Sequence, residues 1–268
     1  MKQALVLGIV AAVAWLPAAA QTADPTAAEF DKFRAIMEQD NPAELFEVKG
    51  EELWRARRGP KNASLEQCDL GLGAGVVKGA YAQMPRYFAD ADRVMDVEAR
   101  IVHCMMTLQG FKYEELAKQP FSNETRTPEP VSLVTYVAAQ SRGMKLASPQ
   151  NHPKERDAYE TGKAIFHYRA GAFDFSCASC HGVDDKRIRT QPLPNFTKPE
   201  QAILAVRGWP GYRMTGGLMH TLQWRLNDCY RQQRFPEPGY VSETLSALLT
   251  YVTVNANGQV YRGPGIKR

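Results

Sequence analysis

The chain has 268 residues, of which 44% are hydrophobic, and its formal net charge is +4 at pH 7. So mild a positive charge does not indicate a nucleic-acid or membrane-surface partner, because both kinds of target select strongly basic patches. The length suffices for one large domain or two small ones.

The first twenty residues have the pattern of a secretory signal peptide. A short basic start precedes an apolar stretch from Ala4 to Trp15, and Ala18-Ala19-Ala20 forms an A-x-A cleavage pattern. The rival interpretation, a membrane anchor, requires roughly 20 consecutive apolar residues, which this stretch does not supply. We therefore expect residues 1–20 to be removed and the mature protein, with no membrane span, to lie in the periplasm.

Residues 21–147 are predicted to form a first, mainly helical domain. Glu51 to Arg58 has the periodicity of an amphipathic helix, and Ser132 to Ser141 reads as a closing helix after a proline-rich turn. A polar stretch without periodicity, from Leu146 to Pro153, indicates a linker.

Residues 148–268 are predicted to form a second domain of the same kind. Asp157 to Tyr168 reads as an amphipathic helix and Ser242 to Val254 as a closing helix. Between them, Cys177-Ala178-Ser179-Cys180-His181 matches C-x-x-C-H, in which two thiols on one turn bind the vinyl groups of a haem and the imidazole binds its iron. A zinc site would need a second ligand pair at suitable spacing, and a thioredoxin-like motif would need a βαβ pattern. We therefore predict one covalent haem c on Cys177 and Cys180, with His181 as an iron ligand.

The two domains repeat one sequence pattern, which is the most informative feature of the chain. When Cys68 is aligned with Cys180, further residues match in the same order: Gly50 with Gly162, Arg57 with Arg169, Gly59 with Gly171, Arg100 with Arg225, Cys104 with Cys229, and Gly143 with Gly258. A helix, an attachment loop, a long irregular stretch and a closing helix are typical of c-type cytochrome domains. The fold class predicted is mainly α, with two tandem cytochrome-c-like domains.

The first copy has lost the residues that bind haem. Leu65 and Asp69 stand where the second copy has its first attachment cysteine and its histidine, so this domain is expected to be degenerate and without haem. Cys68 and Cys104 correspond to positions that both lie near the haem in the second copy. In its absence they can close on each other, and we predict a Cys68–Cys104 disulfide that stabilises the domain.

That pairing leaves Cys229 without a partner. The ordinary interpretation of a lone cysteine is a buried structural thiol. Arg225, four residues earlier, shares its helical face and favours the thiolate form, while Arg231 or Arg234 could help to hold an oxyanion beside the sulfur. Other candidates for the second iron ligand follow the C-x-x-C-H motif: Met214, Met219 and His220. Position alone does not decide between them and Cys229.

The chain resembles the SoxA family, the catalytic subunits of the SoxAX cytochromes of bacterial thiosulfate oxidation. The resemblance covers essentially the whole predicted mature chain and is sharpest in Cys177-Ala-Ser-Cys180-His181 and in Arg225-Leu-Asn-Asp-Cys229-Tyr-Arg-Gln. It implies an L-cysteine S-thiosulfotransferase that joins thiosulfate oxidatively to a cysteine of the carrier protein SoxYZ and passes two electrons into haem. It also implies a heterodimer with SoxX, a small cytochrome c.

Carried over to this sequence, the resemblance implies individual roles. His181 and Cys229 would be the two axial ligands of the haem iron, Cys229 would carry a persulfide or thiosulfonate during turnover, and Arg225 would contact the sulfur anion. The family contains one-haem and two-haem members, and Leu65 and Asp69 assign this chain to the one-haem type.

Two other functions are compatible with parts of the pattern. A plain electron-transfer cytochrome would use Met214 or Met219 on the iron and would have no use for an arginine-flanked thiol. A two-domain haem peroxidase would need haem in both domains, and the first domain lacks the residues. The pairing of Arg225 with Cys229 therefore favours sulfur chemistry.

Overall fold

The computed structural model describes residues 39–117, 127–188 and 191–267, together with residues 29, 32, 36 and 37. The predicted signal peptide lies outside the described residues. The described residues before Asp40 belong to one compact unit, and Asp40–Arg268 form another. In the first unit, Lys32 pairs with Glu29 at 2.7 Å; the fold described below belongs to the second. No helix in the described ranges is long and apolar enough to cross a membrane.

The structure is largely helical, with short strands between the helices. In the first half of the chain the elements are α1 (Ala43–Arg55), a 3₁₀ turn (Tyr81–Gln83), β1 (Arg86–Phe88), β2 (Arg93–Met95), α2 (Val97–Cys104), a π-helical turn (Met105–Gln109), α3 (Tyr113–Ala117) and α4 (Glu129–Ala139). In the second half they are α5 (Pro153–His167), α6 (Cys177–His181), β3 (Arg187–Ile188), β4 (Gln191–Pro192), α7 (Pro199–Val206), β5 (Gly211–Arg213), β6 (Leu218–His220), α8 (Leu222–Gln232), α9 (Glu243–Asn255) and β7 (Gly265–Lys267).

The long helices occur where hydrophobic periodicity predicted them, with corrected boundaries. Helix α1 begins earlier than expected because the side chain of Asn41 accepts a hydrogen bond from the Ala43 backbone N–H (3.0 Å), and it ends at Arg55 because Ala56 is extended. Helix α5 begins inside the predicted linker because His152 and Glu155 form a reciprocal capping box.

A hairpin followed directly by a capped helix occurs in both halves. Strands β1 and β2 pair antiparallel and lead into α2, whereas β5 and β6 pair antiparallel and lead into α8, with β7 added parallel to β5. Asp96 caps α2 by accepting from the Ala99 N–H (3.1 Å), and Thr221 caps α8 by accepting from the Trp224 N–H (3.3 Å). This unit positions the helix that carries Cys104 in the first half and Cys229 in the second.

The two halves share one buried core and a buried polar network. Residues from both halves belong to the same hydrophobic cluster. Asp96, at the start of α2, accepts hydrogen bonds from the Gln223 side chain of α8 (2.8 Å) and the Ser246 hydroxyl of α9 (2.6 Å). The predicted boundary between residues 147 and 148 stays a prediction, since residues 40–268 form one compact unit.

Candidate functional site

The C-x-x-C-H motif forms the short helix α6, Cys177–His181. Ser176 caps it: its hydroxyl accepts from the Ser179 N–H (3.1 Å), and the Ser179 hydroxyl accepts from the Ser176 N–H (3.0 Å). The helical turn places Cys177 and Cys180 on one side as free, half-buried thiols. The motif is therefore preorganised by local hydrogen bonds.

His181 is held in one orientation. Its Nδ1 lies 2.9 Å from the Pro194 carbonyl oxygen, and its ring stacks on Phe196 with centroids 4.1 Å apart. A ring nitrogen that faces a carbonyl must carry the proton, which leaves Nε2 as the free electron pair. Burial lowers the pKa of His181; the Pro194 carbonyl opposes this, and nearby Arg225 lowers the pKa further. The imidazole is thus neutral and ready to bind a metal.

Cys229, on α8, lies within electrostatic reach of both attachment cysteines. Burial raises the pKa of the Cys177 thiol to about 12, and Cys229 contributes to that rise. Burial also raises the pKa of Cys229; Arg225 opposes the rise, and Asp228 and Cys180 add to it. Cys229 and Cys180 are therefore close enough to interact electrostatically, and Arg225 acts on both Cys229 and His181.

The other candidate iron ligands lie in different surroundings. Met219 is completely buried in β6, where its N–H donates to the Thr127 hydroxyl (3.0 Å). Met214 is 45% exposed, in the turn that follows β5. His220 is buried and stacks on Trp224, with ring centroids 3.8 Å apart. Cys229 interacts electrostatically with Cys177 and Cys180, whereas Met219 and His220 belong to strand β6 and Met214 to the turn before it.

A cluster of arginines surrounds Asp228, next to Cys229. Arg225 pairs with its carboxylate at 2.5 Å, Arg231 at 3.6 Å and Arg213 at 3.7 Å. Arg225 was expected to face a substrate anion, and here its guanidinium holds Asp228. Sequence analysis missed Arg213, which comes from β5, and gave Asp228 no role. Arg234, the other arginine considered, is exposed beyond the end of α8.

The corresponding residues of the first half form a closed structure. Cys68 and Cys104 are joined by the predicted disulfide, with their Cα atoms 5.7 Å apart. Leu65 is completely buried. The Asp69 carboxylate accepts from the N–H groups of Gly71 (2.6 Å) and Gly73 (3.0 Å), so it serves its own loop.

The second-half residues fit a haem c. Two unpaired thiols on one turn match covalent attachment, a neutral imidazole with Nε2 free matches one axial ligand, and a thiol matches the other. Large apolar side chains are exposed on both flanks of the motif, as an apolar cofactor or a partner requires: Tyr168, Phe173, Phe175, Val183 and Ile188.

Comparisons with known proteins identify the family. A family model described as SoxA/TsdA, cytochrome c domain, matches residues 49–146. The chain is 48% identical over 238 residues to the L-cysteine S-thiosulfotransferase subunit SoxA of Hydrogenophilus thermoluteolus, which covers 89% of this chain and 87% of the relative. The chain belongs to the SoxA family. A second SoxA relative, from Hydrogenobacter thermophilus, is 32% identical over 268 residues and covers 98% of this chain and 97% of its own.

A solved SoxA-containing structure has the same fold. The crystal structure of SoxXA from P. pantotrophus matches with a TM-score of 0.71 and 25% identity, covering 89% of this chain and 84% of that chain. The cytochrome-c-like, largely helical fold and the SoxA resemblance are thereby confirmed. The curated SoxA relatives are named L-cysteine S-thiosulfotransferase subunits.

Proposed function

We propose that this SoxA subunit, an L-cysteine S-thiosulfotransferase, conjugates thiosulfate to a cysteine of a SoxYZ-like carrier protein. The observation that carries the proposal is the electrostatic proximity of Cys229 to the cysteines of the C-x-x-C-H motif, beside the arginines that surround Asp228. A plain electron carrier needs neither the thiol nor the arginines, and the relatives' names do not favour that alternative.

One haem c is proposed for the second half. Cys177 and Cys180 would form the two thioether bonds, and His181 and Cys229 would bind the iron. When bound, the haem supplies a one-electron acceptor. The first half would hold no haem, because Leu65 fills the position of a thiol and Asp69 offers no imidazole.

The residues of this chain account for the sulfur chemistry. The Cys229 thiolate would form an S–S bond with the outer sulfur of the thiosulfate dianion, and two electrons would leave. A carrier thiolate would then attack that outer sulfur and break its bond to Cys229. The carrier would take the –S–SO₃⁻ group and Cys229 would return to a thiolate, an exchange without net redox change. Arg225 offsets the repulsion between the two anionic sulfurs. Because a haem accepts one electron, the second must go to another one-electron acceptor.

A partner cytochrome can supply the second one-electron acceptor. The SoxXA match supports a heterodimer with a SoxX-like small cytochrome c, whose haem would take the second electron. The exposed apolar side chains beside the motif, among them Phe173 and Phe175, offer a surface for it.

The domain organisation remains part of the proposal. We propose a signal peptide at residues 1–20, export to the periplasm, a degenerate domain at residues 21–147 and a haem domain at residues 148–268. Support comes from the hairpin-plus-helix unit that occurs in each half and from equivalent glycines: Gly59 and Gly171 both have positive φ, as do Gly143 and Gly258.

Low-temperature EPR of the oxidised protein tests the role of Cys229. Wild type should give a low-spin thiolate–imidazole signal that disappears in Cys229→Ala and persists in the control Met214→Leu. Cys229→Ala should also abolish thiosulfate-dependent electron transfer in a system reconstituted with SoxX and SoxYZ. A methionine–imidazole signal unaffected by Cys229→Ala would leave a plain electron carrier.

The haem count is tested by intact mass. The double variant Cys177→Ala/Cys180→Ala should carry no covalent haem, whereas Cys68→Ala/Cys104→Ala should keep one. Two haems on the wild-type chain would contradict the one-haem assignment.

A further inference from the structure

Two guanidinium groups from separate elements converge on a single oxygen atom. The Nη1 of Arg225, on α8, lies 2.5 Å from Asp228 Oδ2, and the Nη1 of Arg213, on β5, lies 3.7 Å from the same atom. The Gln232 amide also donates to this oxygen (2.9 Å). The two guanidinium groups and the amide around Asp228 Oδ2 are therefore arranged to bind an oxyanion.

The positive charge here exceeds the negative charge. Arg231 reaches Asp228 at 3.6 Å but also pairs with Glu237 at 3.1 Å, so a second carboxylate offsets it. Arg213 and Arg225 still share one carboxylate. Asp228 is only 17% exposed, and the partial exclusion of water strengthens the attraction of this excess charge for an anion.

Arg213 is held at this position from both sides. Its guanidinium lies over the Trp224 ring, 5.3 Å from the centroid, and Trp224 and Asp228 are one turn apart on α8, so they face the same way. A cation held between an aromatic ring and a carboxylate loses little conformational entropy when it binds an anion.

The first half shows that the fold does not require an arginine here. The last residue of β1 is Phe88, the counterpart of Arg213 at the end of β5. Phe88 lies under the guanidinium of Arg100, 4.1 Å away, and Arg100 is the repeat equivalent of Arg225. In the first half, which has no counterpart of the free Cys229 thiol, the aromatic ring of Phe88 packs against Arg100 at the end of the strand. In the second half, Arg213 takes that strand position beside Arg225.

We propose that Arg213 and Arg225 together bind the sulfonate group of thiosulfate, and that Asp228 is the positioning residue that aims both guanidinium groups. This inference rests on the proposed thiosulfate-conjugating function. The three oxygens of a sulfonate can accept from two guanidinium groups at once. Arg225 and Cys229 are one turn apart on α8, so a sulfonate held by Arg225 brings the outer sulfur toward the thiol. Binding changes no bond and moves no electron.

Arg213→Gln is the direct test, with Arg55→Gln, at an exposed position of α1, as the control. In the holoprotein, Arg213→Gln should raise the KM for thiosulfate about tenfold, the loss of one charge-assisted hydrogen bond, and leave kcat nearly unchanged. Calorimetric titration of the same oxidised proteins with thiosulfate, without carrier, should show an equal rise in Kd. Arg213→Lys should recover part of the affinity, and Arg55→Gln should match wild type in both measurements.

Asp228→Asn tests the positioning role, with Asp228→Glu as the conservative variant. If Asp228 aims the arginines, Asp228→Asn should raise the KM for thiosulfate with an unchanged haem spectrum, and Asp228→Glu should restore much of the affinity. A lower KM in Asp228→Asn would mean that the carboxylate competes with the substrate, and would overturn this part of the inference.

The outcomes separate the inference from the function on which it depends. If wild type binds and oxidises thiosulfate and Arg213→Gln behaves like Arg55→Gln, the role of Arg213 alone is overturned. Wild type that neither binds thiosulfate nor transfers electrons from it would overturn the proposed function itself.

Discussion

The backbone of Gly50 lies directly against the carbonyl group of Ser132, so that a Cβ atom on Gly50 would come within 2.0 Å of that oxygen. Gly162 stands in the same relation to the Ala247 carbonyl, again at 2.0 Å. Helices α1 and α4, and helices α5 and α9, therefore cross at a point that only a residue without a side chain permits.

Gly162→Ala should lower the free energy of unfolding by about 3 kcal/mol, because the methyl group forces the two helices apart. Gly50→Ala should have a similar effect. Urea unfolding followed by circular dichroism measures both. Gly239→Ala is the control, since a Cβ there meets no atom within 4 Å; equal stability of all three variants would show that the helices separate without cost.

Removal of the Cys68–Cys104 disulfide should destabilise the protein without loss of haem. The bond joins residues 36 apart in the sequence, and a cross-link of that length contributes about 3–4 kcal/mol to the free energy of unfolding. Cys68→Ala/Cys104→Ala should unfold at lower urea concentration, with an unchanged haem spectrum. Addition of reductant should destabilise wild type and leave the variant unaffected; a reductant-insensitive wild type would argue against the bond.

Glu98 makes stability depend on pH. Burial raises the pKa of Glu98 well above 4.5, and its neighbour Asp96 raises it further. A carboxyl group that holds its proton in the folded state stabilises the fold below the unfolded-state pKa, and this contribution is lost as pH rises toward the folded-state pKa. Because Glu98→Gln keeps a neutral side chain, its free energy of unfolding relative to wild type should increase above about pH 4.5, by up to about 1.4 kcal/mol per pH unit.

Urea titrations from pH 5 to pH 8 measure this difference. Glu114→Gln, on an exposed site of α3, is the control and should show no such trend. A constant difference between Glu98→Gln and wild type across the range would mean that Glu98 ionises in the fold as freely as in the unfolded chain.

Arg100 and Arg225 are repeat equivalents and should respond in opposite ways to substitution. The buried Arg100 donates to both oxygens of Asp90 (2.9 and 2.8 Å) and to the Asp69 carbonyl (2.7 Å). Arg100→Gln should therefore cost about 2 kcal/mol of unfolding free energy and leave the KM for thiosulfate unchanged. The more exposed Arg225→Gln should cost less than about 1 kcal/mol and impair thiosulfate turnover. Urea unfolding and steady-state kinetics of both variants measure these effects. A stable but inactive Arg100→Gln, or a destabilised but active Arg225→Gln, would contradict the roles assigned to the two arginines.

The features that could be predicted from the sequence are those determined by residues close together in the chain or by comparison of the two repeats. The C-x-x-C-H motif lies within a short helix, and the periodicity of α5 follows from which face is buried. The Cys68–Cys104 pairing could be predicted because the repeat supplied two equivalent positions. Each of these depends on local geometry or on internal comparison.

The rest depends on contacts between distant elements. Arg213 reaches Asp228 only because the β5–β6 hairpin packs beside α8, and nothing in the local sequence of either residue indicates this. Comparison of the repeats offered one signal, since Phe88 in the first half corresponds to Arg213. The hydrogen bonds of Asp96 to Gln223 and Ser246 likewise join segments far apart in the chain.

The Cys68–Cys104 bond also has a consequence for biogenesis. With that bond closed, the unpaired thiols are Cys177, Cys180 and Cys229, all in the half that would take up the cofactor. Cys68 and Cys104 precede the attachment motif in the chain, so during export they would reach the oxidising side of the membrane before Cys177 does. Early closure withdraws from exchange two sulfurs that would otherwise compete for the attachment cysteines. We therefore expect the Cys68–Cys104 bond to keep the attachment cysteines reduced for the haem, in addition to stabilising the first half.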